Sequence, residues 1–240
     1  MASILPFDEL NRFNEDIRAR FGDARLEDRR EEEEDIIDEL LDLFLLAYAM
    51  GNSVTNDNLS SNYAPNVDEV MNVVDAKVAG KTWRERVEDY FTKASNGEIP
   101  VSKLTETTEP TETTSTATTQ PPRASGESSG QRGQTGTVEP ATPSGGISLL
   151  EAITRIAETE THRIANQAAY ETAKKAGATE KTWHCMMLPT SRDTHIYLDG
   201  VTAPIDGEFY SFKGGSTQFP GQWGIAEEDV NCLCWLTFSK

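Results

Sequence analysis

The sequence predicts an α+β chain: a small all-helical N-terminal region, a long disordered linker, and a C-terminal domain of one long helix plus a small β-rich module. Three observations carry this. Apolar residues recur at helical spacing through most of residues 1–97. Residues 105–146 hold no aromatic side chain and a single large aliphatic one, Val138, among Thr, Glu, Pro, Ser and Gly. Residues 181–240 mix Trp, Phe, Tyr, Thr and Val with punctuating Gly and Pro, the pattern of short strands and loops. The boundaries that follow are 1–97, 98–147 and 148–240.

In order along the chain, Leu10, Phe13, Ile17 and Phe21 mark a helix over 7–22. Residues 26–51 begin acidic, with a solvated face, and become apolar nearly all round from Ile36 to Tyr48. That second half therefore needs neighbouring helices or a partner to bury it. Gly51-Asn52 reads as its C-cap and 53–66 as a loop. Val70, Met71, Val74 and Val78 give a short helix over 67–78, and Thr82-Trp-Arg-Glu85 is a capping box that starts another. After the linker, Leu149, Ile153, Ile156 and Ala157 form the apolar stripe of a helix over 148–176, closed by Gly177. Strands are expected at 182–188 and 233–238. Asp199-Gly200, after a run of strand-formers, signals a tight turn.

Composition excludes several functions. The formal charge of −18 leaves no lysine and arginine surplus to neutralise phosphates, so direct nucleic-acid binding is not expected. Three cysteines make no disulfide framework and fit a reducing compartment. The N-terminus lacks the basic and apolar regions of a signal peptide. The apolar run 40–50 falls short of the ~20 residues that span a bilayer.

All histidines and cysteines lie between His162 and Cys234. Thr159, Arg163, Asn166 and Tyr170 share one helical face, which is expected to hydrogen-bond the loops of the following module, with Glu160 paired locally to Arg163. His195, Cys232 and Cys234 are candidate zinc ligands, with Asp229, Asp193 or His184 as a fourth. The competing reading makes the two cysteines small strand residues and His195 a hydrogen-bonded loop histidine. A nucleophilic pair, Cys185 or Cys234 with His195 as base, lacks an accompanying oxyanion-hole pattern. Glu227-Glu228-Asp229 reads as a solvated acidic loop, and Lys213-Gly214-Gly215-Ser216 lacks the strand and helix of a phosphate loop.

The ordered set Glu160-x-x-Arg163-x-x-Asn166, Lys181-x-Trp183, Arg192-x-x-His195-x-x-Leu198-Asp199-Gly200, Phe209 with Pro220-Gly221, and Asn231-Cys232-x-Cys234 resembles the C-terminal domain of the Mu protein F-like family of phage head morphogenesis proteins. The resemblance covers about residues 150–238. It implies a structural, non-enzymatic minor head protein of a tailed phage, packed near the portal and present in the host cytoplasm during assembly. Its partners would be the portal, major capsid or scaffolding protein, and some members are held to travel with the DNA. It further implies a structural polar cluster of Glu160, Arg163, Asn166, Arg192, Asp199 and Asn231, and no resident cofactor apart from the zinc candidate read above from His195, Cys232 and Cys234. Cysteine-rich relatives carry C-x-x-C at Arg192 and His195 and a histidine at Asp229, so metal-binding potential is reduced here, and the usual arginine between the last two cysteines is Leu233. Related domains attached to toxin or transferase domains supply an enzymatic alternative, and a zinc-dependent interaction module a second one. The expected mechanics are two modules on a tether, one docked at the portal or capsid wall and the other reaching a second site.

Overall fold

The computed structural model describes residues 5–23, 29–102 and 147–240. Its elements run α1 (Phe7–Asp23), α2 (Arg29–Leu59), α3 (Val67–Val74), α4 (Trp83–Ser95), α5 (Leu149–Lys175), β1 (Glu180–His184), α6 (Asp193–Leu198), β2 (Thr202–Pro204), β3 (Phe209–Tyr210), β4 (Ser216–Thr217), α7 (Ala226–Asp229) and β5 (Trp235–Ser239). Helices come first and a small sheet follows, as an α+β chain requires. None of the described helices is long and apolar enough to cross a membrane.

The expected pair of tethered modules is not what forms. The described residues 5–23, 29–102 and 147–240 belong to one compact unit. Its main core joins Leu10, Phe13, Ile17 and Phe21 of α1, Ile36, Leu40 and Phe44 of α2, Trp83, Val87 and Phe91 of α4, and Leu149, Ile153 and Ile156 of α5. The physical reason is α2, whose all-round apolar character is satisfied within the chain by α1, α4 and α5. Residues 103–146 of the expected linker lie outside the described residues. Their flanks are nevertheless pinned side by side: Leu149 N–H donates to the Pro100 carbonyl at 2.8 Å, and Leu150 N–H to the Val101 carbonyl at 3.0 Å. The described residues on either side of that segment thus belong to one body.

Helix α2 continues to Leu59, through the expected cap and into the expected loop. Gly51 sits inside it for a packing reason. A Cβ built there would overlap the Ala165 carbonyl oxygen of α5 and lie 3.1 Å from its carbonyl carbon. The glycine marks the point where the two longest helices touch backbone to backbone. Gly51→Ala gains about 1 kcal/mol of helix propensity, but it forces the helices apart and loses contacts along both. A net destabilisation of ~2 kcal/mol is expected by urea unfolding; a variant as stable as the parent would show that α2 and α5 separate freely.

Local signals hold elsewhere. Thr82 and Glu85 form the expected capping box, Asn66 and Glu69 form another, and Ser148 with Glu151 a third that opens α5. Helix α3 stops at Val74, short of the expected 78, because Asp75 caps it. Gly177, at φ +77°, ends α5. The sheet has order β2-β1-β5, all antiparallel, with Thr182 opposite Thr202 and Trp183 opposite Leu236. A second core lies beneath it: Tyr170, Trp183, Leu198, Phe209, Phe219, Trp223, Cys232, Cys234 and Leu236. Residues 193–198, read as strand-formers before a turn, are helical instead.

Candidate functional site

Helix α5 is the spine of the site, and its polar face divides its work. Asn166 Nδ2 donates to the carbonyl of Cys234 and to that of His162, both at 3.0 Å. Tyr170 OH donates to Gln218 Oε1 at 2.9 Å, and Thr159 Oγ1 accepts from Asn231 N–H at 3.4 Å. These three hold the following module, as expected. Arg163 does not: its Nη2 donates to the Val73 and Val74 carbonyls at 3.0 and 3.3 Å, the end of α3. The expected pair forms, with Arg163 Nε 2.6 Å from Glu160 Oε2, and Arg86 of α4 closes on the other Glu160 oxygen. Arg163 therefore ties α5 to the N-terminal helices. Its own backbone is covered by Gly221, at φ +88°, whose hypothetical Cβ would lie 3.1 Å from the Arg163 Cα.

At the far side of the same loops, His195, Cys232 and Cys234 converge, each 2% exposed. His195 Nδ1 lies 3.4 Å from Cys234 Sγ and 3.6 Å from Cys232 Sγ. Three elements place them. Helix α6 turns His195 inward between Trp223, stacked at 6.2 Å, and the edge of Trp183 at 5.7 Å. Asn231, at φ +56°, adopts the left-handed conformation asparagine tolerates and turns the chain from α7 into Cys232. Asn166 then fixes the Cys234 carbonyl. Both cysteines precede β5, so they are not strand residues.

A carboxylate stands behind the ring. Glu228, fully buried, places Oε2 3.2 Å from His195 Nε2, at an angle that makes no hydrogen bond. Its Oε1 accepts from Thr194 Oγ1 at 3.2 Å and from Ser211 Oγ at 2.5 Å. The acidic triplet is thus no solvated loop: only Glu227 is exposed, while Glu228 is buried by partners distant in sequence and Asp229 by its own loop. Nothing in three consecutive acids announces that. Between the thiols, Cys232 is held down, first by the hydrogen bond from Cys234 and then by His195, against the opposing effect of burial; Cys234 is pushed up by the same hydrogen bond and by burial.

The proposed fourth ligands point elsewhere. Asp229 accepts from the N–H groups of Trp223 and Gly224, both at 2.8 Å, which fixes the loop over His195. Burial raises its carboxyl above the ordinary range, and those amides pull it back down. His184 Nε2 pairs with Thr237 Oγ1 at 2.8 Å, and Asp193 is exposed. Cys185 is buried outside the cluster, and its N–H donates to Asp199 Oδ1 at 2.9 Å. Arg192 donates to the Val230 carbonyl. Asn166, Arg192 and Asp199 thus make hydrogen bonds in the loops around a buried His-Cys-Cys group, whereas Glu160 and Arg163 bond towards the N-terminal helices. Cys185 lies outside that centre and Cys234 is buried within it.

Residues 131–237 match the family model described as Phage Mu protein F like protein. That stretch is a Mu F-like domain. Its described part spans α5, the sheet and the His-Cys-Cys centre. Among curated relatives, the minor head protein GP7 of Bacillus phage SPP1 is 34% identical over 85 residues, 34% of this chain and 28% of that protein. The NAD(+)--arginine ADP-ribosyltransferase EFV of Enterococcus faecalis (strain ATCC 700802 / V583) is 40% identical over 84 residues, 33% of this chain and 17% of that protein. The match therefore covers less than a third of either relative. No solved structure matches the chain significantly.

Proposed function

We propose that this chain is a structural minor head protein of a tailed phage, working in head assembly near the portal and residing in the head interior. Before that it would stand in the host cytoplasm, among assembling portal, major capsid or scaffolding subunits. The observation that carries the reading is the Mu F-like match together with the likeness to a minor head protein. The transferase relative does not displace it. Similarity of the same extent is met in a head protein, so it fits a shared assembly or packaging role better than transfer chemistry.

Two physical features support a docking part. Among the described residues the exposed large apolar side chains concentrate between 186 and 212: Met186, Met187, Leu188, Tyr197, Tyr210 and Phe212 are prominent, and Tyr197 packs on Phe212 at 5.1 Å. Clustered apolar exposure of this kind fits a protein partner. The charge of −18 opposes direct contact with packaged DNA. Mass spectrometry of heads purified from the phage encoding this chain is expected to find it at low copy. The reading fails if heads and proheads lack it, or if the purified chain transfers ADP-ribose from NAD with turnover abolished by His195→Ala.

A further inference from the structure

We propose that His195 Nδ1, Cys232 Sγ and Cys234 Sγ hold one soft divalent cation, zinc by its chemistry, with Glu228 orienting the imidazole. A tetrahedral zinc with the usual Zn–S and Zn–N bond lengths puts nitrogen and sulfur about 3.6 Å apart. The two observed separations, 3.4 and 3.6 Å, are edges of such a tetrahedron. All three ligand atoms lie within 4.8 Å of one another. A thiol–imidazole hydrogen bond engages one sulfur only. One Nδ1 lone pair accepts one in-line hydrogen bond, yet it faces two sulfurs at nearly equal distance. A common cation between them satisfies both.

The surroundings fit the same centre. A carboxylate accepting from the remote nitrogen is the usual device for orienting a metal-bound histidine and fixing its tautomer, and Glu228 Oε2, 3.2 Å from Nε2, is in reach of that bond once the ring turns to the cation. Glu228 is fully buried there and anchored by Thr194 and Ser211, an arrangement of no evident use to a surface loop. The donors also come from two distant stretches of chain, α6 and the segment before β5. A cation would therefore clamp the return of the chain onto the start of the module. Three protein donors are assigned, with a small exogenous ligand such as water completing the shell.

The test uses the full-length chain, stripped with a chelator under reducing conditions and titrated with Co²⁺ alone. One equivalent is expected to produce thiolate-to-cobalt charge transfer and the visible bands of a tetrahedral ion, both erased by one equivalent of Zn²⁺. Cys232→Ser and Cys234→Ser are expected to lose the spectrum, and Cys185→Ser to keep it. Glu228→Gln should keep the band shape but bind roughly 10- to 100-fold more weakly. Should the serine variants not fold, the wild-type charge-transfer intensity still counts the thiolates. A folded wild type without bands, bands of octahedral type, or a spectrum surviving Cys234→Ser overturns the assignment. Loss of the spectrum in Cys185→Ser overturns the donor set. Mass spectrometry of particles is blind to all of these, so this inference and the assembly role fail separately.

Discussion

Replacing Arg163 by methionine is expected to destabilise the fold by ~3–5 kcal/mol, the usual effect of removing one partner from a buried charge pair. The side chain is 1% exposed and Glu160 fully buried, so water cannot re-solvate what is left behind. The variant strands one Glu160 oxygen and removes the donor from the carbonyls of Val73 and Val74 and from Gln167 Oε1. For a chain of this size the melting temperature should fall by roughly 10 °C. Arg86 still holds the other Glu160 oxygen, and it is part-exposed, so it can turn to solvent if the glutamate is removed as well. The double variant Glu160→Leu, Arg163→Met is therefore expected to recover part of the loss. A single variant within 1 kcal/mol of the parent would mean that α3 and α5 are held by packing alone.

That arginine also shows how far the sequence could be read. Its pairing with Glu160, three residues earlier on one helix, is a local relation and was legible. Its grip on α3 is a relation across ninety residues and was not. Capping boxes behave like the local half: Thr82 with Glu85 was read directly, and Ser148 with Glu151 carries the same signature in full view at the start of α5. Gly51 behaves like the non-local half. Alone, a glycine after an apolar helical run is a stop signal, and only the Ala165 carbonyl on a different helix explains why it stands mid-helix.

The candidate centre divides the same way. Residue type picked out His195, Cys232 and Cys234 as candidate ligands, beside the competing reading of two small strand cysteines and a loop histidine. Type also suggested Asp229, which turns out to hold the backbone of the loop. Glu228, its neighbour, was passed over because acids in a row are ordinarily solvated. Its burial depends on Thr194, Ser211 and His195 closing around it. The separation into modules failed for a related reason. Composition identifies a segment poor in apolar residues, but not that its two flanks hydrogen-bond to each other at Pro100–Val101 and Leu149–Leu150.

Acid is expected to destabilise this fold through the buried His162 of α5. Burial pushes this imidazole down to about 4 from its ordinary 6.5, its Nδ1 has no hydrogen-bond partner among the described residues, and its ring packs edge-on against Phe7 at 5.9 Å. The native state thus keeps the ring neutral where the unfolded chain would take up a proton. Its contribution is intact above pH 6.5, is lost as pH falls towards 4, and changes no further below that. The difference corresponds to ~3 kcal/mol across the window. Glu158 and Asp229, both raised chiefly by burial, act in the opposite sense as they protonate. The informative quantity is therefore the change between pH 7.5 and 4.5 in the parent, minus the same change in His162→Leu, measured by urea unfolding. The parent should lose ~2–3 kcal/mol more than the variant over that interval. Equal losses would mean that His162 can be protonated without leaving its place between α1 and α5, and that the acid sensitivity of the fold lies with its carboxylates.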